Sequence, residues 1–426
     1  MEIKEMTLNE IPLTLIKTDK FKTINIQVVF LGEFSKENAT KKSLLTRILS
    51  NSTKNFPTKK ALATKLLDLY DASAGVTTYP SGKTAVTVFS IEVVNEKNLG
   101  IEGLTREAVE MLYEVIFNPN LEGGLFPEKD FNEQKRVLKE RLNNVYNNKT
   151  RYALRQMLKK MAPDEIISVS SLGSLEDLEP LTNAELVSQY KEMIEKENIS
   201  IYVCGDFEEE SFIKDLSLFG SLKNNPHNYE TVLTEPVKVE KVREFFEKQK
   251  IQQAKLIMGF RSDINSKSPQ YPASLVFNAM YGGLFSSDLI RLVREENSLA
   301  YTITSMFLDD VMVMVVAAGI DGSKYGLTTD LVIKQLEDYK QGRLDPELMQ
   351  TAKENIASDL LQTEDNPAQL INYFLRNYLH GLKYQVSDLV AAVKSVTLED
   401  VQKVAQGINL DTIFLLTGED DDGKAL

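Results

Sequence analysis

The pattern of apolar and polar positions divides the chain into two halves with the same order of elements. Each half opens with a run of β-branched and aromatic residues that predicts a strand. Apolar residues at helical spacing then predict two helices, and a further apolar run predicts a second strand. These corresponding segments are 24–31 and 254–260, 44–49 and 275–280, 58–70 and 286–296, and 85–94 and 311–320.

The correspondence continues to the end of each half with two long amphipathic helices, a shorter helix and a final strand. The segments are 105–117 and 325–340, 128–147 and 346–362, the helices that begin after 182 and 397, and 201–206 and 413–420. Thr182 with Glu185 has the spacing of a capping box, and Thr397 with Asp400 is a weaker match to it. Eight segments in one order, twice over, predict an internal duplication.

A polar connector rich in asparagine and proline separates the two halves. We therefore expect an N-terminal domain over 1–222, a linker over 223–240 and a C-terminal domain over 241–426. The elements of each half predict an α+β fold, in which an antiparallel-type sheet has helices packed on one face.

Composition and charge narrow the classes of function. The 426 residues include 49 basic and 62 acidic side chains, which give a net charge of −13 and disfavour nucleic acid as a ligand. The apolar run 311–320 is too short to cross a bilayer, and the charged opening residues do not resemble a signal peptide. The single cysteine, Cys204, excludes an internal disulfide and fits a reducing compartment. We expect a cytoplasmic protein that binds neither nucleic acid nor membranes.

Only two histidines occur in the chain, His227 and His380. A catalytic zinc ion commonly takes two or three imidazole ligands at fixed spacing, and neither histidine has a second one nearby. One cysteine cannot replace the missing ligands. The sequence therefore predicts no metal, no cofactor and no self-sufficient zinc site, and the ordinary interpretation of both histidines is as hydrogen-bonding residues.

One motif, together with the duplicated plan, identifies a family. Residues 282–305 read GGLFSSDLIRLVREENSLAYTITS, which resembles the insulinase-like (pitrilysin, or inverzincin) metallopeptidases. Family members typically show a glycine-rich turn, an amphipathic helix, the pattern R-E-x-x-x-L-A-Y and a strand. Arg294 and Tyr301 match the paired arginine and tyrosine of the family. From charge pattern alone, 294–296 would be an exposed helix end, and Tyr301 the start of a half-buried strand.

The same resemblance shows what this chain lacks. Active members carry H-x-x-E-H on the first helix, where two histidines bind zinc and the glutamate acts as the base. Ser43, Thr46 and Arg47 occupy those three positions here. A hydroxyl is a poor zinc ligand, and a guanidinium repels the cation. Glu140 is the expected counterpart of the family's distal ligand, although its own surroundings read as a solvated, salt-bridged helix face.

The resemblance implies a clamshell half that works as the zinc-less, inactive member of a two-chain peptidase. Arg294 and Tyr301 would bind a peptide substrate in the chamber of a zinc-bearing homologue, and the isolated chain could pair with itself. The peptide would add to a sheet edge, and 73–79 is where the equivalent edge falls in this chain. Two alternatives stay open: a scaffold protein without a role in proteolysis, and a hydrolase with an unrecognised centre, against which Cys204 lies in a predicted buried strand.

Overall fold

The computed structural model describes residues 1–222 and 224–418, which form two compact units. The first unit comprises Met1–Leu142, Val169–Glu230 and Thr363–Tyr378. The second comprises Asn143–Ser168, Thr231–Gln362 and the described chain from Leu379 onwards. Lys223 of the predicted linker, and Glu419 and Asp420 at the end of the predicted last strand, lie outside the described residues.

Eleven strands form within the described residues, at the alternating or continuous apolar runs of the chain. They are β1 (Glu2–Leu8), β2 (Ile11–Lys17), β3 (Thr23–Glu33), β4 (Ser73–Ser81), β5 (Thr84–Val94), β6 (Asn198–Gly205), β7 (Arg243–Gln249), β8 (Ala254–Arg261), β9 (Ala300–Leu308), β10 (Val313–Ile320) and β11 (Asn409–Gly418).

The helices of the described chain match most of the amphipathic segments. They are α1 (Lys36–Leu49), α2 (Lys59–Asp68), α3 (Leu104–Phe117), α4 (Glu128–Asn147), α5 (Lys149–Met161), α6 (Leu175–Leu178), α7 (Asn183–Lys196), α8 (Glu209–Leu216), α9 (Tyr271–Asn278), α10 (Tyr325–Lys340), α11 (Pro346–Gln362), α12 (Pro367–His380), α13 (Val386–Ser395) and α14 (Leu398–Gln406).

Five strands of the first sheet and the five strands of the second sheet follow the same order. The first has the order β1-β2-β6-β3-β5-β4 and the second the order β7-β11-β8-β10-β9. In each sheet one pair is parallel, β2 with β6 and β7 with β11, and the other pairs are antiparallel. Apart from β1, the five-strand plan is the same in both, which confirms the predicted α+β class and the internal duplication.

Both predicted capping boxes are present and fix the start of equivalent helices. The Thr182 backbone N–H donates to Glu185 at 2.8 Å before α7, and the Thr397 N–H donates to Asp400 at 2.9 Å before α14. In each box the threonine hydroxyl accepts in return from the backbone N–H of the acidic residue. The aspartate version therefore satisfies the same two backbone donors as the glutamate version.

Each unit contains one helix from the other half of the sequence. Helix α5 follows α4 along the chain yet belongs to the second unit, and most of α12, which follows α11, belongs to the first unit. Because α4 and α11 are equivalent in the duplication, the two exchanged helices hold equivalent places. The division into halves inferred from the sequence does not include this exchange.

Helix α5 packs against the second sheet through a row of small and flexible side chains. Ala153, Met157 and Met161 are buried in a cluster with residues of β8, β10 and β11. A Cβ at Gly259 would lie 2.6 Å from the Met157 sulfur, so the glycine leaves the room that this helix occupies. Since neighbouring strand residues alternate between faces, the buried Met258 points to the opposite face, and the second sheet is covered on both sides.

Candidate functional site

The resemblance predicts that α1 corresponds to the helix with H-x-x-E-H in active peptidases, and the Thr46 hydroxyl on this helix bonds to the helix backbone. Ser43 and Thr46 are both buried. The Thr46 hydroxyl donates to the Ser43 carbonyl oxygen at 3.1 Å, and the Ser50 hydroxyl donates to the Thr46 carbonyl oxygen at 2.7 Å. This arrangement engages the Thr46 hydroxyl within the helix and leaves no carboxylate at this position to activate a water molecule.

Arg47, at the position predicted to match the second histidine, is partly buried and has no hydrogen-bond or ion-pair partner among the described residues. Its Nε atom is inaccessible to solvent and finds no acceptor, and the guanidinium forms no ion pair with any described residue. Burial lowers the pKa of Arg47, and the positive charge of Arg141 lowers it further. The side chain at this position therefore carries a positive charge, which repels a metal ion instead of binding it.

The structure places Glu140 on the solvent side of α4. Its side chain is 57% exposed, and its carboxylate accepts from Arg136 at 2.5 Å. The buried face of this helix is formed by Phe131, Gln134, Leu138 and Leu142. The residue of α4 whose charge reaches Arg47 is Arg141, the neighbour of Glu140.

The two histidines and the cysteine belong to other segments of the chain than α1 and α4. His227 is exposed in the connector between the halves, and His380 is buried at the end of α12. Among the described residues, no cluster of three or more histidine, cysteine, aspartate or glutamate side chains could hold a metal ion. Burial raises the pKa of the Cys204 thiol to about 12, so this thiol does not form the reactive thiolate near neutral pH.

The glycine-rich turn brings its backbone against the strand that bears Tyr301. Helix α9 continues as a π-helical turn, Ala279–Gly283, which packs on β9. A Cβ at Gly282 would lie 2.9 Å from the backbone nitrogen of Ser305, and the Thr304 hydroxyl donates to the Gly282 carbonyl at 3.2 Å. The glycine is needed for this close approach.

Arg294 lies exposed in a second π-helical segment, Ile290–Glu296, where the sequence predicted an α-helix. Its guanidinium stands over the ring of Phe285, 5.7 Å from the centroid, and forms no ion pair with a described residue. Phe285 is 76% exposed, the highest fraction among the exposed large apolar side chains of the described chain. The Phe285 ring stabilises the guanidinium through a cation–π interaction and leaves its positive charge in place.

Tyr301 occupies an irregularity at the start of β9. In the pairing with β10, Ile320 lies opposite Ala300 and Gly319 opposite Thr302, so Tyr301 is the extra residue of a bulge. The side chain is 68% exposed, and β9 is an edge strand. Ser298, between Arg294 and Tyr301, adopts the left-handed conformation with φ of 50°. The segment that carries Arg294 packs against β9, so the two predicted residues lie on neighbouring elements of one unit.

Comparison with known proteins gives consistent matches. A sequence profile described as the Peptidase M16 inactive domain matches residues 180–356. The "Probable inactive metalloprotease YmfF" of Bacillus subtilis (strain 168) is 28% identical over 413 residues, which are 95% of each chain. This chain is similar to inactive peptidases of the M16 family. M16 is the insulinase-like family, so the resemblance inferred from residues 282–305 is confirmed.

Solved structures show that the M16-type fold extends over the whole chain. A conserved protein from Enterococcus faecalis V583 has a TM-score of 0.93 and 26% identity, over 98% of this chain and 99% of the other. The peptidase M16 inactive domain from Pseudomonas fluorescens has a TM-score of 0.80 at 17% identity, with 98% of each chain covered. A second B. subtilis relative, the "Uncharacterized zinc protease YmxG", is 23% identical over 70% of this chain and 71% of its own length.

Sequence reasoning missed a buried residue that contributes to the placement of the Arg294 segment. Asp288 is buried and accepts from Tyr339 at 2.6 Å, from Arg291 at 2.7 Å and from Gln335 at 3.1 Å. Burial raises the pKa of Tyr339, and the Asp288 charge raises it further. The only signal in the sequence is an acidic residue placed between two apolar runs, which does not distinguish a buried carboxylate from an exposed one.

The sheet edge predicted at 73–79 is present in the first sheet. Strand β4 is the outermost strand of the first sheet, paired with β5 alone, and α1 packs against it. One line of backbone donors and acceptors on β4 is therefore without a strand partner. Among the residues that the structure describes, no helix combines the length and hydropathy that crossing a bilayer requires.

Proposed function

We propose that this chain is the non-catalytic, zinc-less subunit of a two-chain insulinase-type peptidase. In this proposal Arg294 and Tyr301 bind a peptide that a zinc-bearing homologue cleaves, and the pair works in the cytoplasm. The chain itself supplies substrate contacts and no metal. An isolated preparation would be free to form a homodimer.

The observation that carries this proposal is the contrast between the two motif regions. At the position of the zinc ligands, Thr46 is engaged with its own helix and Arg47 is a cation. At the other motif, Arg294 and Tyr301 are both exposed, on elements that pack together. The stability of the fold does not require an exposed phenol at Tyr301, nor an exposed guanidinium at Arg294 that has no ion pair among the described residues.

The chemistry of the two exposed groups suits a peptide. A guanidinium and a phenol can donate hydrogen bonds to a peptide carbonyl, and to the oxyanion that develops when the carbonyl is attacked. Neither group needs a metal to do so. An extended peptide also pairs with an unpartnered strand, which gives affinity through backbone hydrogen bonds.

The two relatives from Bacillus subtilis support a pairing of unlike chains. One is named a probable inactive metalloprotease and the other a zinc protease, so one organism has relatives of both kinds. A two-chain peptidase needs one chain of each kind. We therefore expect the genome that encodes this chain to encode a zinc-bearing homologue of similar length.

The test is to co-purify this chain with that homologue and measure peptide cleavage with Arg294→Ala in place. We expect kcat/KM to fall roughly 10- to 100-fold, since a charge-assisted hydrogen bond to the substrate is lost. Arg343→Ala is the matched control, because Arg343 is an exposed arginine of the same unit that pairs with Asp338.

Cleavage by the pair that is unaffected by Arg294→Ala would overturn the assigned role. A chain that fails to associate with the homologue under any condition would favour the scaffold alternative. Hydrolysis by this chain alone, free of the homologue, would contradict the non-catalytic assignment.

A further inference from the structure

The outer strand β7 of the second sheet lacks the neighbour that its counterpart in the first sheet has. In the first sheet, β1 pairs antiparallel with β2, and Glu2 of β1 lies opposite Lys17 of β2. In the strand order that the sheets share, β7 corresponds to β2, and it pairs with β11 alone. No strand of the described chain lies beyond β7. The edge of β7 can therefore accept an antiparallel strand, as the edge of β2 does.

The exposed face of β7 presents an acid, an aromatic ring and a base. Glu244, Phe246 and Lys248 alternate along the strand and are all exposed, Phe246 by 41%. Glu244 accepts from the Tyr325 hydroxyl at 2.7 Å, and the rings of Phe246 and Tyr325 lie 5.5 Å apart between centroids. The opposite face of β7 packs against α5. Tyr325 thus holds Glu244 and Phe246 in place on the face that solvent reaches.

The sequence of β7 is complementary to itself when two copies run antiparallel. A two-fold axis that relates two such strands at full overlap sets the middle residue opposite itself. The middle of Arg243–Gln249 is Phe246. In that register Glu244 of each copy lies opposite Lys248 of the other copy. Aromatic pairs and opposite charges are favourable cross-strand pairs, so the exposed face gains one ring pair and two charge pairs.

The other outermost strands of the described chain lack this complementarity. Strands β4 and β9 contain no charged residue, so charge selects neither a partner nor a register for them. Strand β1, paired about its own middle residue, would set Glu5 against Glu5 of the second copy. Like charges directly opposite each other are unfavourable. Charge complementarity with a second copy therefore distinguishes β7.

We propose that two copies of this chain pair through β7, antiparallel and about a two-fold axis at Phe246. The two second sheets then join into one continuous sheet. Strands β7 and β9 lie at opposite edges of that sheet, so β9 and Tyr301 stay open in the dimer. The inference does not rest on the proposed function. One pair of short strands buries less surface than a standard interface, and we expect a dissociation constant on the order of 10–100 µM.

The test is sedimentation equilibrium of the full chain across the micromolar range, where we expect a monomer–dimer equilibrium. Glu244→Lys and Lys248→Glu should each weaken the dimer about tenfold, because each turns both charge pairs into like-charge pairs. An equimolar mixture of the two variants should restore dimers, since every altered charge then meets an opposite charge on the other variant. This recovery also excludes misfolding as the cause of the weaker dimer.

The matched controls are Glu399→Lys and Lys403→Glu. These two residues form an exposed pair on α14 with the same charges and the same spacing of four residues. Each control changes the net charge as its counterpart on β7 does. Neither should alter the dissociation constant of the dimer.

Cysteine cross-linking tests the register. Phe246→Cys should form a disulfide-linked dimer under a mild oxidant, because directly opposite Cα atoms are about 5 Å apart. Lys248→Cys should not, since the two copies of this residue are about 13 Å apart along the strands. The native Cys204 is buried and gives a low background.

A full chain that stays monomeric across this range would overturn the proposal. So would a dimer that responds to the β7 variants no more than to the α14 controls, or one that cross-links through Lys248→Cys and not through Phe246→Cys. If the chain alone is monomeric and the β7 variants weaken its association with the zinc-bearing homologue, the edge binds that homologue and the second copy is the wrong occupant. Each of these results leaves the proposed function standing, because that function is tested by peptide cleavage.

Discussion

Arginine residues show most clearly how single side chains divide into structural and functional roles in this molecule. Arg261 is buried, and its guanidinium donates to Glu165 at 2.6 and 2.9 Å and to Asp411 at 3.1 Å. Burial alone would lower the pKa of Arg261, but the two carboxylates outweigh it and the pKa is raised. Arg47 and Arg294 have no such partners among the described residues. The motifs of the sequence single out Arg47 and Arg294 but not Arg261, whose role depends on contacts made in the folded chain.

Arg261→Met should destabilise the protein by about 3 kcal/mol, because it leaves the half-buried Glu165 without its ion-pair partner and the buried Asp411 with Arg243 alone. Urea unfolding followed by circular dichroism measures the change. Arg136→Met, which removes an exposed pair within one helix, should change the free energy of unfolding by less than about 0.5 kcal/mol. Equal effects of the two substitutions would contradict the structural role assigned to Arg261.

At the scale of elements, local pattern was sufficient wherever an element packs within its own half of the sequence. The paired segments that were predicted as helices and strands correspond to elements of the structure, including the equivalent pairs α1 and α9, α4 and α11, and β5 and β10. The segment that carries Arg294 differs, because its turns are π-helical. The wider turns of this segment depend on its packing against β9 and on the contacts of Asp288. The spacing of apolar residues in the sequence does not predict either of them.

Gly282→Ala tests whether this packing displays Arg294 and Tyr301. The new methyl group would lie 2.8 to 3.0 Å from atoms of Ser305 and Leu289, so the turn must move away from β9. We expect a loss of stability of roughly 1–3 kcal/mol and a fall in peptide cleavage by the two-chain complex.

The matched control is Gly326→Ala in α10, where a Cβ meets no atom within 4 Å. That substitution should stabilise the helix by roughly 0.5–1 kcal/mol and leave cleavage unchanged. If a folded complex with Gly282→Ala retains full cleavage, the packing of this turn on β9 is not what holds Arg294 and Tyr301 in place.

At the scale of the whole molecule, the exchange of α5 and α12 is the feature that sequence reasoning could not supply. The residues of α5 that become buried, Ala153, Met157 and Met161, recur at helical spacing, but their partners lie on β8, β10 and β11 in the other half of the sequence. The duplication predicts that equivalent helices exist, and it does not say which sheet each one covers.

A fragment of residues 231–426 should fold poorly, because it lacks the helix that covers one face of the second sheet. Ile257, Val315 and Phe414 would then be exposed to solvent. We expect aggregation and strong binding of a hydrophobic dye, and we expect recovery when residues 143–168 are joined to the fragment through a flexible linker. A cooperative unfolding transition of the shorter fragment at the temperature of the full chain would contradict the exchange.

The non-catalytic role proposed for this chain requires that it hold no catalytic zinc of its own. The direct measurement is the zinc content of the purified full chain by plasma mass spectrometry, taken together with a peptide cleavage assay on the same sample. We predict far less than one zinc per chain and no cleavage above background. One tightly held zinc per chain, with cleavage that a chelator abolishes and added zinc restores, would contradict the claim.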